Sequence, residues 1–392
     1  MPKTTPSRFG DLEAIRAQHD PELVDLLVGS VFETDELADD LVSVFRELPG
    51  ATGWRMLDNV LRHGLDAEPD APPELLKVVA DALVPPPWVD FELVDRGAVA
   101  WWRTGGFLQL IALTAGSLAY GYGTSFARPL ILTGRLSTRA PRRLAETAGW
   151  VGMATRPGEL RPGKKGVRET VHIRMVHALV RDHIRRSGRW DTANWGEPIS
   201  VGDTAATGLI GFFTFPIEGL RDLGVDYSQD ELEAMTHLWS WITYLMGVPE
   251  KYLPKNYDEA AAFFHTGHAL DCQKVEGADE LLDALFFHSI PYDKYLPAPL
   301  AGPARGAVGN LMAAFSRRWM GQERADMLDI PDNAAAALAI PALRAAVTAR
   351  ERLRKAGLSP SDERLVDIEF ALSGALRRVL RPSLPMRPDA VS

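Results

Sequence analysis

The sequence predicts an all-α protein, and three observations carry that expectation. Apolar residues recur at three- and four-residue spacing along most of the chain. Capping side chains and Pro/Gly stops bracket those runs at ordinary helix lengths. Alternating apolar and polar runs are absent, apart from one doubtful stretch, Ile210 to Phe215. No internal repeat and no low-complexity linker interrupts the pattern.

The elements follow in chain order. Asp20-Pro21 gives a cap with proline at the first helical position, and Leu23, Leu26, Leu27 and Val31 continue the period. Thr34 to Leu48 forms the next helix, stopped by Pro49-Gly50. Leu75 to Leu83 is ended by Pro85-Pro86-Pro87, and Asp90 opens another. Phe107 to Ala119 is the most apolar stretch. Gln109 and Thr114 interrupt it, and it is too short to span a bilayer, so it reads as a buried helix before the breaker Gly121-Tyr122-Gly123. Arg142 to Val151 is amphipathic, Arg156 to Gly166 is a Gly/Pro-rich loop, and Arg168 to Arg186 is a long helix. Ser228 with Glu231 makes a capping box for a helix reaching about Met246, before Gly247 and Pro249. Ala334 to Ala346, broken by Pro341, suggests a peripheral helix pair. Ser359-Pro360 with Asp362 starts the last long helix, which ends near Leu380 and leaves Arg381 to Ser392 frayed.

The chain has 392 residues, 46% apolar and 24% charged, which suits a globular protein with a sizeable core. A single cysteine, Cys272, rules out an internal disulfide framework and a Cys-rich zinc or iron–sulfur site, and suits a reducing compartment. The first residues show no apolar signal core and no paired arginines, so the expected location is cytoplasmic with no membrane span. A net charge of −9 argues against general nucleic-acid binding.

Charge is distributed very unevenly. From Arg128 to Arg189 there are fifteen Lys/Arg against four Asp/Glu, a local +11, so the rest of the chain carries −20. Most of these cations are arginines, whose rigid forks bind carboxylates and phosphates. Inside the stretch, Ile173, Val176, His177, Val180 and Ile184 fall on one helical face, which is expected to point to the core. An imidazole on an apolar face among arginines is what a haem needs: the ring binds iron and arginines such as Arg174 and Arg181 meet the propionates. A core histidine bonded to a carbonyl is the alternative. His172 and His183 lie at the flanks of that helix. Arg143 and Thr147 stack at i, i+4 with Glu146 beside them, the alternative being a solvated Arg–Glu pair with a buried threonine. His265, His268 and Cys272, with Asp271 adjacent, have metal-face spacing; a helix end with two partly exposed histidines is the competing reading. Six of the ten tryptophans (Trp88, Trp101, Trp102, Trp150, Trp239 and Trp241) sit in apolar helical contexts, as core residues or as the lining of a hydrophobic tunnel. Gly-rich phosphate loops and nucleophile elbows are missing; Gly121-Tyr122-Gly123-Thr124 has no preceding strand.

These residues together resemble the MpaB/latex-clearing-protein oxygenase family, a group of all-helical haem b proteins. The likeness runs through Pro87-Trp88-Val89-Asp90, Thr133-Gly134-Arg135-Leu136, Arg143, Glu146-Thr147 and Trp150. It continues through the loop at Pro157-Gly158 and Pro162-Gly163, then Arg174, His177 and Val180-Arg181. Trp195-Gly196-Glu197-Pro198-Ile199, Asp203, Thr207 and Phe212 follow, then Leu238-Trp239, Tyr244 to Pro249 and Leu253-Pro254. It covers roughly Asp35 to Pro254, and its most specific element is the Arg…Thr…His spacing of four then thirty. The resemblance implies a globin-like helical core with additional surrounding helices and a haem b iron held by His177. It implies that Arg143 and Thr147 flank or secure the haem, and that dioxygen is used to cleave isoprenoid double bonds. The implied division is an N-terminal extension over 1–34, the haem-binding domain over 35–330 and C-terminal helices over 331–392. Two departures stand out. Where latex-clearing proteins carry a lysine that closes onto the iron, this chain has Glu146, and their catalytic carboxylate falls near Ala127. Those proteins are exported, so the expected substrate here is a small hydrophobic, unsaturated molecule rather than the polymer. Glu146 is the candidate catalytic base. A peroxidase, a haem sensor and a non-enzymatic helical binding protein are the alternatives.

Overall fold

The computed structural model describes residues 6–133, 136–271 and 274–380, without side chains at 136–143 and 373–380. Among the described residues every regular element is helical, so the fold is all-α as expected. They form two compact units, each drawn from three separate stretches: Met1–Ala98, Ala148–Ile210 and Glu233–Gln273 in the first, and Val99–Thr147, Gly211–Leu232 and Lys274–Ser392 in the second.

In the first unit, Asp35 caps the helix Glu36–Glu47 by accepting from the Ala38 N–H. That helix packs on Pro73–Leu83 and on the long helix Lys165–Ser187. Leu41, Leu57, Leu61, Leu75, Val79, Val171 and Met175 are fully buried among them. Trp150 donates to the Thr170 hydroxyl at 3.1 Å, tying the end of helix Leu136–Ala154 to Lys165–Ser187. Trp241, on helix Gln229–Leu245, donates to the Leu160 carbonyl and so closes the Pro/Gly loop over the core. Near the N-terminus, Arg8 bridges Asp203 at 2.7 Å and Asp271 at 3.2 Å, all three largely buried.

In the second unit the long helix Ala298–Met320 supplies the core. Phe315 is buried, Ser316 donates to the Ala115 carbonyl at 2.7 Å, and Trp319 lies against Gly116 and Gly219. Arg103, wholly buried, gathers the surrounding segments. It binds Glu231 at 2.5 Å, Glu351 at 3.1 Å and the Asp226 carbonyl at 3.0 Å, over the Tyr227 ring.

The structure corrects several expected elements. Ile210 to Phe215 is no strand: Ala206–Thr214 is a wide, π-type helix, and from Leu209 on it is buried on all sides. Phe107 to Ala119 is buried on one side only, since Phe107 and Leu110 are exposed, and it widens to π geometry over Ala112–Leu118. Pro341 does not break a helix. It stands in the first turn of Ala339–Lys355, where its missing N–H has no helical partner to lose. The frayed segment expected over Arg381 to Ser392 lies outside the described residues.

Candidate functional site

Helix Lys165–Ser187 is where the charge asymmetry of the sequence resolves. Its buried side is not the one carrying His177. Val167, Thr170, Val171, Arg174, Met175, Ala178 and Arg181 are among its buried positions, so two arginines sit in the face turned to the core. Buried guanidinium groups need partners, and both have them. Arg174 donates from Nε and Nη2 to the Asp35 carboxylate at 2.5 and 2.7 Å, and from Nη1 to the Val78 carbonyl at 3.3 Å. Burial works against the Arg174 charge, but the Asp35 carboxylate outweighs it and leaves the guanidinium pKa raised. Arg181 donates to Asp39 Oδ1 and to the Ile199 carbonyl, both at 2.7 Å. Arg185 reaches Asp39 at 2.9 Å and Glu197 at 2.8 Å. Within this unit Arg161 pairs with Asp95, and Arg186 with Asp182. Much of the cationic stretch is therefore answered by acids of the same unit. Arg174 and Arg181, expected to meet the carboxylates of a bound group, are engaged by Asp35 and Asp39.

His177 lies about 40–60° around the helix from both arginines, taking 100° per residue. Its own face was expected to point into the core; it is half-open instead. Ile173, His177 and Val180 are partly exposed, Val176 is 41% exposed, and only Ile184 at the end is buried. The imidazole Nδ1 is nevertheless buried. His177, Arg174, Arg181, Asp35, Ile199 and Gly247 line one small cleft. Two backbone features shape it. Ile199 holds φ +50, rare for a β-branched residue, with its carbonyl fixed by Arg181. Gly247 holds φ +89, and a Cβ there would collide with the Asp35 carboxylate.

The other expected residues are placed as follows. Arg143, Glu146 and Thr147 share helix Leu136–Ala154; Glu146 and Thr147 are half-buried, and the Arg143 side chain is outside the described ones. His172 is half-buried against Trp54, and His183 is exposed. His265 is exposed and His268 half-buried on helix Tyr257–Leu270, Asp271 is taken by Arg8, and Cys272 lies outside the described residues. Among the described residues no three His, Cys, Asp or Glu groups cluster as metal ligands. Trp101, Trp239 and Trp241 are wholly buried core residues. Sequence reasoning gave Asp35 and Asp39 no role at the site and read Gly247 only as a helix stop and part of the family pattern. Only the cap position of Asp35 could have flagged it, because its partner Arg174 lies 139 residues away.

Residues 101–350 match a family described as ER-bound oxygenase mpaB/B′/rubber oxygenase, catalytic domain. The chain belongs to this family. It is accordingly an oxygenase, and the match includes Arg143, Glu146, Thr147, Arg174, His177 and Arg181. A rubber oxygenase of Streptomyces sp. (strain K30) is 26% identical over 328 residues, spanning 76% of this chain and 70% of that protein. The structure of latex clearing protein LCP in the closed state is similar with a TM-score of 0.60 at 23% identity, over 85% of this chain and 86% of that one. At that identity the structural likeness speaks for the rubber-oxygenase fold, and the family match speaks for the enzyme class.

Proposed function

We propose that this oxygenase uses haem b held by His177, and acts with dioxygen on a small hydrophobic, isoprenoid-like molecule. The observation that carries the reading is the half-open apolar strip from Ile173 to Ile184 with one imidazole in it. Its chemistry fits the group. A haem brings four nitrogen ligands of its own and asks the protein for one more ring nitrogen and an apolar wall. His177, with Nδ1 turned into the protein, would offer Nε2 to the iron. Ile173, Val176, Val180 and Ile184 would pack on the macrocycle. When bound, the haem supplies activation of dioxygen, which no side chain can do.

The chain's own residues would do the rest. Arg143 and Thr147 would secure the group, as the family resemblance implies. Glu146 would be the general base, taking an allylic proton from the substrate onto a carboxylate oxygen. Arg174 and Arg181, already paired, would steady the helix that presents His177 rather than bind the propionates themselves. The rubber oxygenase relative supports an isoprenoid substrate class. The lone cysteine supports a reducing, cytoplasmic setting.

The test is the absorption spectrum and pyridine haemochrome of the purified chain, beside His177→Ala. One haem b per chain, lost in His177→Ala, is the expected result. An unchanged spectrum and haem content in the variant would overturn the assignment. Glu146→Gln should keep its haem while losing turnover of a short isoprenoid; retention of both removes Glu146 from the chemistry.

A further inference from the structure

We propose that Asp35 and Asp39 are positioning residues for His177, which they govern through Arg174 and Arg181. They set the rotation of its helix and cancel two positive charges that would otherwise stand beside the imidazole. The inference rests on the haem reading above.

The geometry is a two-rung ladder. Asp35 and Asp39 stand four residues apart, the first as the cap of helix Glu36–Glu47 and the second one turn inside it. Arg174 and Arg181 stand three residues before and four after His177 on the facing helix. Each rung has short contacts, 2.5 and 2.7 Å to Asp35 and 2.7 Å to Asp39, and each guanidinium holds a backbone carbonyl as well. Two such rungs leave the helix little freedom to turn about its axis, so the direction of the His177 side chain is fixed from its flank. Asp35, Arg174 and Arg181 line the same cleft as the imidazole, and Asp39 holds Arg181 from behind.

Stability alone does not demand this arrangement. A buried ion pair is often replaceable by apolar residues with no loss, whereas removing one partner is severe. What an apolar face would not supply is paired charge at −3 and +4 from a metal ligand. With both rungs intact, the charges of Arg174 and Arg181 beside His177 are neutralised. With Asp35 neutralised, Arg174 becomes a buried cation that has lost its hydrogen-bonded counterion and keeps only the weaker pull of Asp81. Positive charge at that range favours the reduced iron, because reduction removes one unit of positive charge from the centre.

The experiment uses the full chain loaded with haem. Loss of haem in His177→Ala decides the underlying reading first. The midpoint potential is then measured for the parent, Asp35→Asn, and the double variant Asp35→Asn/Arg174→Met, with circular dichroism confirming folding. Asp35→Asn should lower the ferric-to-ferrous ratio at fixed applied potential at least tenfold, a rise of about 59 mV for one electron. The double variant, in which charge and partner leave together, should return within threefold of the parent. A parental potential in a folded, haem-bound Asp35→Asn overturns the proposal, as does a double variant displaced as far as the single. If Asp35→Asn does not fold, Asp39→Asn, at the more exposed of the two carboxylates, carries the test. A shift of the same sign supports the proposal and no shift overturns it.

Discussion

Gly247 shows how tightly the surroundings of His177 are specified at the level of one residue. Its positive φ is strained for any side chain, and the space a Cβ would need is occupied by the Asp35 carboxylate. Gly247→Ala is therefore expected to lose about 1–3 kcal/mol in a urea titration, with weaker haem retention. His237 offers a second check. Its Nε2 accepts the Asp90 N–H at 2.9 Å, which requires the neutral ring. Burial lowers its pKa, against the opposing pull of Asp90. Burial lowers His172 as well. A depressed histidine contributes stability above its ordinary pKa of about 6.5 and loses it as pH falls toward the folded value. Stability should thus decline on acidification below about pH 6.5, and less steeply in His237→Gln. Equal slopes for parent and variant would exclude His237 as a source. At this scale the sequence singled out His177 but misjudged the direction of its face, which is half-open rather than turned to the core. Arg174 and Arg181 read as partners for the carboxylates of a bound group, and the aspartates that engage them instead lie 139 and 142 residues away, beyond any local window.

Element by element, boundaries marked by side-chain chemistry were legible. Ser228 and Glu231 exchange the reciprocal hydrogen bonds of a capping box, at 3.2 and 2.8 Å. Asp20 caps Pro21–Ser30 as expected. What failed were stretches whose pattern is set by surroundings. The run Ile-Gly-Phe-Phe-Thr has no polar side, so no period distinguishes strand from helix. Arg103 was silent in the sequence, since its acceptors Glu231 and Glu351 lie 128 and 248 residues away. Arg103→Ala is expected to cost the second unit about 3–5 kcal/mol by leaving buried carboxylates poorly paired. Glu351→Gln should cost less, about 1–3 kcal/mol, because Glu231 and the Asp226 carbonyl still hold the guanidinium. Chemical denaturation of both variants checks the ranking; a larger loss in Glu351→Gln would contradict it.

For the whole molecule, the interleaving of the two units is the property that matters, and it was invisible in a sequence with no linker. Ending the chain at Gln273 keeps every stretch of the first unit and removes Lys274–Ser392 from the second. Val99–Thr147 and Gly211–Leu232 would then lose Phe315, Ser316 and Trp319 as core partners. Brief trypsin treatment should cut that truncated chain first within these two stretches, whereas the full chain should resist there; equal resistance would show that they do not need the C-terminal segment. The same interleaving dictates the order of events on the ribosome. The first 98 residues emerge long before their partners, and the first unit lacks one of its three stretches until residue 273 has been added. The apolar run from Phe107 to Ala119 waits longer still, because Ser316 and Trp319 are translated about two hundred residues after it. The first unit is therefore complete only after residue 273 has emerged and the second only near the end of synthesis, so Val99–Thr147 and Gly211–Leu232 wait unpartnered through much of translation, open to misassembly.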